Sequence, residues 1–282
     1  MDAKAIQNRN CPACDSASQR PVVQYSHPEW PIVECVACDF VYLKFAPHDA
    51  AFEDEYAWEK TSANEAKRRK KNWLYHIDYA TRFRLKLGNA LDRRFVKNSL
   101  PMRGTALDVG CGGACRVADG LTPFGIEISK SLAQLADPFF RERGGYVVGA
   151  SAVDGLDKFD DQFFDHAILR SYLEHEMRPR LVLEKLYRKL KRGGTVAIKV
   201  PDYGCIGRHV MGAKWCGFRF PDHQNYFTLS SLTRLATGVG YTLRPMNTVP
   251  GLNDNLYVIL IKPIDGRNPA ARLQYQFDAR AG

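Results

Sequence analysis

The pattern of apolar and polar positions changes character along the 282 residues. Residues 1–48 hold short β-branched and aromatic runs, "RPVVQYS" and "PIVECVACDFVYL", which predict short strands. From about Asn64 to Asn98 proline is absent and glycine occurs once, while Trp73, Ile77, Ala80, Leu87 and Leu91 recur at helical spacing. That predicts a helix with one packing stripe. From Thr105 onward, apolar runs alternate with amphipathic stretches. "TALDV", "FGIEI", "YVVGA", "FDHAIL" and "TVAIKV" read as strands, with a short helix expected after the first. A longer helix is predicted over "SKSLAQLADPFFRER", capped by Ser129. Another spans "PRLVLEKLYRKLKRGG", with Pro179 near its start, basic residues at its end and glycine just past it. Such alternation predicts a parallel sheet with helices on both faces. The end differs: "LSSLTRLATGVG" reads as a helix, and "YTLRPMNTV" and "NLYVILIKP" as two strands with a short connection.

These shifts divide the chain into a cysteine-bearing module (1–48), a basic helical segment (49–100), an α/β core (101–263) and a loose tail (264–282). No apolar run reaches the roughly 18 residues of a membrane helix. The first residues lack an apolar signal core, so a cytoplasmic protein without a membrane partner is expected. The net charge of +9 is uneven: residues 60–100 carry all of the excess. The run "KRRKK" at 67–71 is read either as a solvated helix face or as a patch for phosphate groups, on a small substrate or on RNA.

Cysteines also sort by position. Cys11-Pro-Ala-Cys14 and Cys35-Val-Ala-Cys38 form two Cys-x-x-Cys pairs separated by twenty residues. Two tight turns, each aiming two thiolates at one point, suit a tetrahedral Zn2+. With four protein ligands that site is structural, and the metal is expected to fold a segment too short to bury a core of its own. The remaining cysteines have no paired spacing, although Cys111 and Cys115 lie on a glycine loop.

That loop, "LDVGCGGAC" at 107–115, follows the first core strand. A dinucleotide fingerprint is incomplete, because the third glycine of Gly-x-Gly-x-x-Gly is Cys115 here. The frame that fits is acid-x-Gly-x-Gly: Asp108, Gly110 and Gly112. It suits a ligand without a pyrophosphate, one whose amino-acid end lies against the loop. Glu127, at the tip of the second strand, is placed to accept hydrogen bonds from ribose hydroxyls. Together these point to S-adenosylmethionine.

"LDVGCGG", "FGIEIS", "LEH" at 173–175, "KLKRGGTVAIKVP" and "FPDHQNYFTLSSL" resemble, in order, the motifs of class I S-adenosylmethionine-dependent methyltransferases. With the paired cysteines, the chain is similar to sugar C-methyltransferases that carry an N-terminal zinc module. The resemblance implies a Rossmann-like, doubly wound seven-stranded sheet whose last strand is antiparallel, beside a small zinc ribbon. It implies cofactor contacts from Asp108, Gly110, Cys111, Gly112, Glu127 and Ile128, with Arg170 at the fourth strand tip. The acid many members place after the third strand is missing, leaving Ser151 or a backbone group for adenine. His223 matches a histidine that serves as general base, a role suited to an imidazole. Asp222 is expected to orient it, Tyr226 to bond the substrate and His175 to lie beside the donor methyl. Trp215 and Phe218 are read as acceptor-pocket walls or as core. The acceptor is expected to be a small, phosphate-bearing molecule, a nucleotide-linked or glycan sugar. RNA as acceptor and a non-catalytic binding protein are the alternatives. Oligomeric state and the atom methylated are not legible.

Overall fold

A computed structural model describes residues 6–47, 103–247, 249 and 251–265. The basic helix expected over 64–98 and the tail from 266 lie outside these residues. At the N-terminal end are β1 (Ile6–Asn8), β2 (Gln19–Pro21), β3 (Ile32–Cys35), β4 (Val41–Leu43) and β5 (Phe45–Pro47). The core runs β6 (Gly104–Val109), β7 (Leu121–Glu127), α1 (Lys130–Arg141), β8 (Val147–Gly149), α2 (Ala152–Leu156), β9 (Phe164–Arg170), α3 (Pro179–Lys189) and β10 (Leu190–Pro201). Then follow α4 (Ile206–Met211), β11 (Asn225–Tyr226), α5 (Leu229–Val239), β12 (Thr242–Pro245) and β13 (Asn255–Ile261).

Seven strands form one sheet in the order β12-β13-β10-β9-β6-β7-β8. The run from β10 to β8 is parallel, and β13 lies antiparallel between β10 and β12. This is the predicted doubly wound sheet with its last strand reversed. Chain order reverses between β6 and β9, so their carboxyl ends diverge and leave a crevice. The strands read as near-continuous apolar runs because helices cover both faces. Ser129 caps α1 as expected, accepting from the Leu132 amide. The Thr228 side chain caps α5 in a reciprocal pair with Ser231.

Two expectations need correction. No helix follows the glycine loop; residues 110–120 are turns and bends. A helix would satisfy its carbonyls internally. Here the Arg143 guanidinium does so from outside, donating to the carbonyls of Val117 (2.8 Å), Ala118 (2.5 Å) and Leu121 (3.0 Å). The fifth core strand starts at Leu190 rather than Thr195, with a register shift against β9 between them.

The N-terminal strands do not stand apart. A second sheet has the order β11-β4-β3-β2, so its outer strand comes from the core, next to His223. Val33, Cys35, Phe40 and Tyr42 share one apolar cluster with Phe227 and Leu232 of the core. A second cluster joins Trp30, Ile32, Val41 and Leu43 to Tyr203, Trp215, Phe218 and Tyr226. Burial of this joint surface, at about 25 cal/mol per Å2, fixes the module against the region that follows β10.

Candidate functional site

A cleft of about 650 Å3 opens at the tips of β6 and β9, inside the range of roughly 300–1,000 Å3 usual for ligand sites. The loop after β6 and the end of β7 form one wall. The loops 171–177 and 216–223 form the other.

On the first wall, Gly110 and Gly112 have φ of 71° and 66°, a conformation costly for side chains other than glycine. A Cβ at Gly110 would lie 2.7 Å from the Tyr172 ring, whereas one at Gly112 would meet nothing within 4 Å among the described residues. Gly110 is therefore a close-packing glycine, and Gly112 leaves space open to the cleft. The amides of Gly110 and Cys111 donate to the Ile126 carbonyl, tying the loop to β7. Glu127 accepts from the Gly112 amide at 2.8 Å and the Ser129 amide at 3.0 Å, so its carboxylate is held in one orientation at the wall. Asp108 is buried under the loop. Burial pushes its carboxyl up to about 6, against the opposing pull of Arg170 and Arg116. Nε and Nη2 of Arg170 are buried with no hydrogen-bond partner among the described residues. Ser151 caps α2, with Oγ accepting from the Asp154 amide and donating to the Asp154 carboxylate at 2.7 Å. Ser151, Ile128, Ala152 and Val153 all line the cleft.

This wall fits S-adenosylmethionine. An ammonium and a carboxylate on one ligand end match a buried acid, Asp108, and an unsatisfied guanidinium, Arg170. Glu127 is an anchored acceptor at the end of β7, suited to hydroxyl groups of such a ligand. The alanine and valine beside Ser151 offer an apolar slot for a base.

The opposite wall carries Glu174, His175, Asp222 and His223. Ser171, with φ of 50°, turns the chain sharply off β9 and starts the loop that bears the first two. His175 Nδ1–H donates to the Asp222 carbonyl at 2.9 Å and to its Oδ1 at 3.1 Å. His223 Nδ1–H donates to the Gly217 carbonyl at 2.8 Å. The two rings meet edge to face, centroids 4.8 Å apart. Asp222 thus orients His175, not His223 as the sequence suggested; the Gly217 carbonyl already occupies Nδ1 of His223. Burial presses the His175 imidazole down, but the Asp222 carboxylate outweighs it and the net shift is upward. Burial also drives His223 well below the ordinary value, helped by His175 and Arg219. For Asp222 burial acts upward, but His175 and the Arg219 ion pair at 2.5 Å win and bring it to about 2.

Tyr226 does not reach the cleft. It is 2% exposed, and its ring packs between Tyr203 and Phe218. Pairing of β11 with β4 turns that side chain to the aromatic cluster, which removes it as a substrate contact. Trp215 and Phe218 belong to the same cluster, and their neighbours Cys216, Gly217 and Arg219 line the cleft instead.

Several residues with no motif hold this wall. The Glu174 carbonyl accepts from the amides of Gln224 (2.7 Å) and Asn225 (3.1 Å). Asn225 Nδ2 donates to the carbonyls of Leu173 (2.8 Å) and Glu176 (2.6 Å). Arg9, 6% exposed, donates to the carbonyls of Gln224 and Met177 and to Asn225 Oδ1. Only the sheet pairing brings Arg9 here, so no local pattern marks it.

The four paired cysteines converge. Their sulfurs lie within 4.8 Å of one another, with Cys11–Cys38 and Cys14–Cys35 each at 3.5 Å. Tetrahedral Zn–S bonds of about 2.3 Å place sulfurs roughly 3.8 Å apart, so the set fits one such ion.

Residues 79–245 match the family described as Methyltransferase domain, a span of more than half the chain. The chain is 31% identical over 146 residues to an uncharacterized protein of Methanocaldococcus jannaschii, covering 52% of this chain and 68% of that one. It is 32% identical over 106 residues to phosphoethanolamine N-methyltransferase 2 of Caenorhabditis elegans, covering 36% of this chain and 24% of that protein. A crystal structure of an S-adenosylmethionine-dependent methyltransferase from Archaeoglobus fulgidus superposes with a TM-score of 0.48 at 17% identity, over 68% of this chain and 100% of that one.

Proposed function

The chain belongs to the methyltransferase-domain family, and on that premise we propose that it methylates a small sugar acceptor, nucleotide-linked or part of a glycan, from S-adenosylmethionine. When bound, S-adenosylmethionine supplies a methyl group already activated on a sulfonium. The chain's own task is to hold an acceptor in line with it and to help the acceptor lose a proton, and positioning supplies much of such a rate. The observation that carries the reading is the pairing of two unlike walls across one cleft. Asp108, Glu127 and Arg170 suit the cofactor; His175 and His223 suit a hydroxyl-bearing acceptor. Each imidazole has Nδ1 committed to an oxygen, which leaves Nε2 for the acceptor side. The sugar class is supported by the match of "FPDHQNYF" to the sugar methyltransferase pattern and by the basic run at 67–71, which suits a diphosphate.

We further propose that the four N-terminal cysteines hold a structural Zn2+. With all four positions filled by thiolates the ion has no open site. Its effect on turnover is through β4, β11 and Arg9, which set the acceptor wall.

The test is label transfer from radiolabelled S-adenosylmethionine into two extract fractions, small anionic metabolites and total RNA. Label in the metabolite fraction, recovered on a sugar after diphosphate cleavage, is expected. Label confined to RNA would replace the sugar reading and make the basic segment a nucleic-acid contact.

A further inference from the structure

Among the described residues, one cluster besides the four cysteines has the donor set of a metal site. An oxygen of Glu174 and one ring nitrogen each of His175 and His223 lie within 4.8 Å of one another. Glu174 is 1% exposed, and its Oε2 has no hydrogen-bond partner among the described residues. A buried carboxylate oxygen without a donor is costly unless something cationic meets it. Both histidines already have the outer support that metal-ligating imidazoles use: Nδ1–H of His175 is given to Asp222, and that of His223 to the Gly217 carbonyl. The tautomer is thereby set, with an Nε2 lone pair on each ring. Two cations stand near this wall: the charge of Arg219 is met by Asp222, and Lys199, whose charge also acts on Glu174, lies over the Tyr257 ring.

We propose that Glu174, His175 and His223 hold a first-row divalent cation, and that this ion binds and acidifies the hydroxyl of the methyl acceptor. Two imidazoles and one carboxylate select ions of the manganese-to-zinc series over magnesium or calcium, and they leave positions for an acceptor oxygen. The inference rests on the methyltransferase reading above and deepens it, because it makes the acceptor atom an oxygen. A bound divalent ion lowers the pKa of an oxygen it holds. The hydroxyl proton passes to cleft water and the oxygen forms the new O–CH3 bond. The S–CH3 bond breaks with its electron pair left on sulfur. No oxidant or reductant is needed.

The test uses the full chain with its cysteine-bound metal in place, dialysed against Mn2+, with metal per chain counted by mass spectrometry and bound Mn2+ followed by electron paramagnetic resonance. One Mn2+ per chain is expected in the wild type. Glu174→Gln and His223→Ala should each weaken it at least 100-fold, and Asp222→Asn by about 10- to 100-fold. The Glu174 loop is held through its backbone carbonyl, so Glu174→Gln keeps that contact; unchanged content of the cysteine-bound metal checks the fold. A wild type that retains no Mn2+, or variants that bind it as tightly, overturn the site. Binding and turnover of S-adenosylmethionine are measured alongside. Full methyl transfer without the ion ends its proposed role and leaves the methyltransferase reading standing. Failure to bind the cofactor ends that reading, while the Mn2+ count still decides the site.

Discussion

Asp108→Asn should make the unliganded protein more stable and a worse cofactor binder. The Asp108 carboxyl is buried, and its pKa is raised from an ordinary 3.8 to about 6. A carboxyl with a raised folded-state pKa holds its proton more tightly in the folded chain. Its contribution to stability is fully present below pH 3.8 and is lost as pH rises through about 6. At 1.36 kcal/mol per pKa unit, the ionised Asp108 costs about 3 kcal/mol at pH 8. An amide of the same shape avoids that cost, so urea denaturation at pH 8 should show the Asn variant more stable by up to about 3 kcal/mol. At pH 5 the gain should fall to roughly half, because the wild type is by then mostly protonated. In isothermal titration the same variant should bind S-adenosylmethionine more weakly by about 1.5–3 kcal/mol, the range for a hydrogen bond to a charged group. Wild-type affinity should likewise fall as pH drops below about 6. A variant no more stable at pH 8 than the wild type would refute the burial argument; one that binds cofactor normally would remove Asp108 from the ligand end.

Other predictions follow from the acceptor wall and its supports. His223→Ala should lower turnover roughly 100-fold or more while cofactor affinity holds, as read by label transfer and calorimetry; full activity would remove it from acceptor activation. Arg9→Met deletes buried donors to two loops and should cost at least about 2 kcal/mol in urea denaturation, with turnover falling further than cofactor affinity. Cys14→Ser should lower zinc content and melting temperature together, and turnover with them, since β4 pairs with β11 beside His223. Unchanged turnover at zero zinc would separate the module from the site.

Much of the architecture was readable because long apolar runs and capping residues act locally. The strand from Phe164, the helix from Pro179 and the two closing strands all lie where periodicity placed them, and the last strand is reversed as the family resemblance implied. The glycine loop was readable for the same reason, since positive φ at Gly110 and Gly112 is a local demand. The missing helix after that loop was not, because Arg143 satisfies its carbonyls from more than twenty residues away. The partner of Asp222 was also hidden. Adjacency in sequence suggested His223, but the turn at 217–223 gives His223 to a backbone carbonyl and aims Asp222 at His175 of the neighbouring loop on the same wall. Tyr226 shows the same limit: a strand alternates faces, and its face is fixed by pairing with Val41, more than 180 residues earlier. Arg9 is the extreme case, a residue with no motif that reaches both loops of the acceptor wall.

The measurement closest to the central claim is calorimetric titration of S-adenosylmethionine into the wild type and into Glu127→Ala. The cleft predicts one cofactor per chain in the wild type, and a loss of about 1–3 kcal/mol when the anchored carboxylate is removed. Absence of binding to the wild type, or equal affinity in the two proteins, would contradict the assignment of this cleft to the methyl donor.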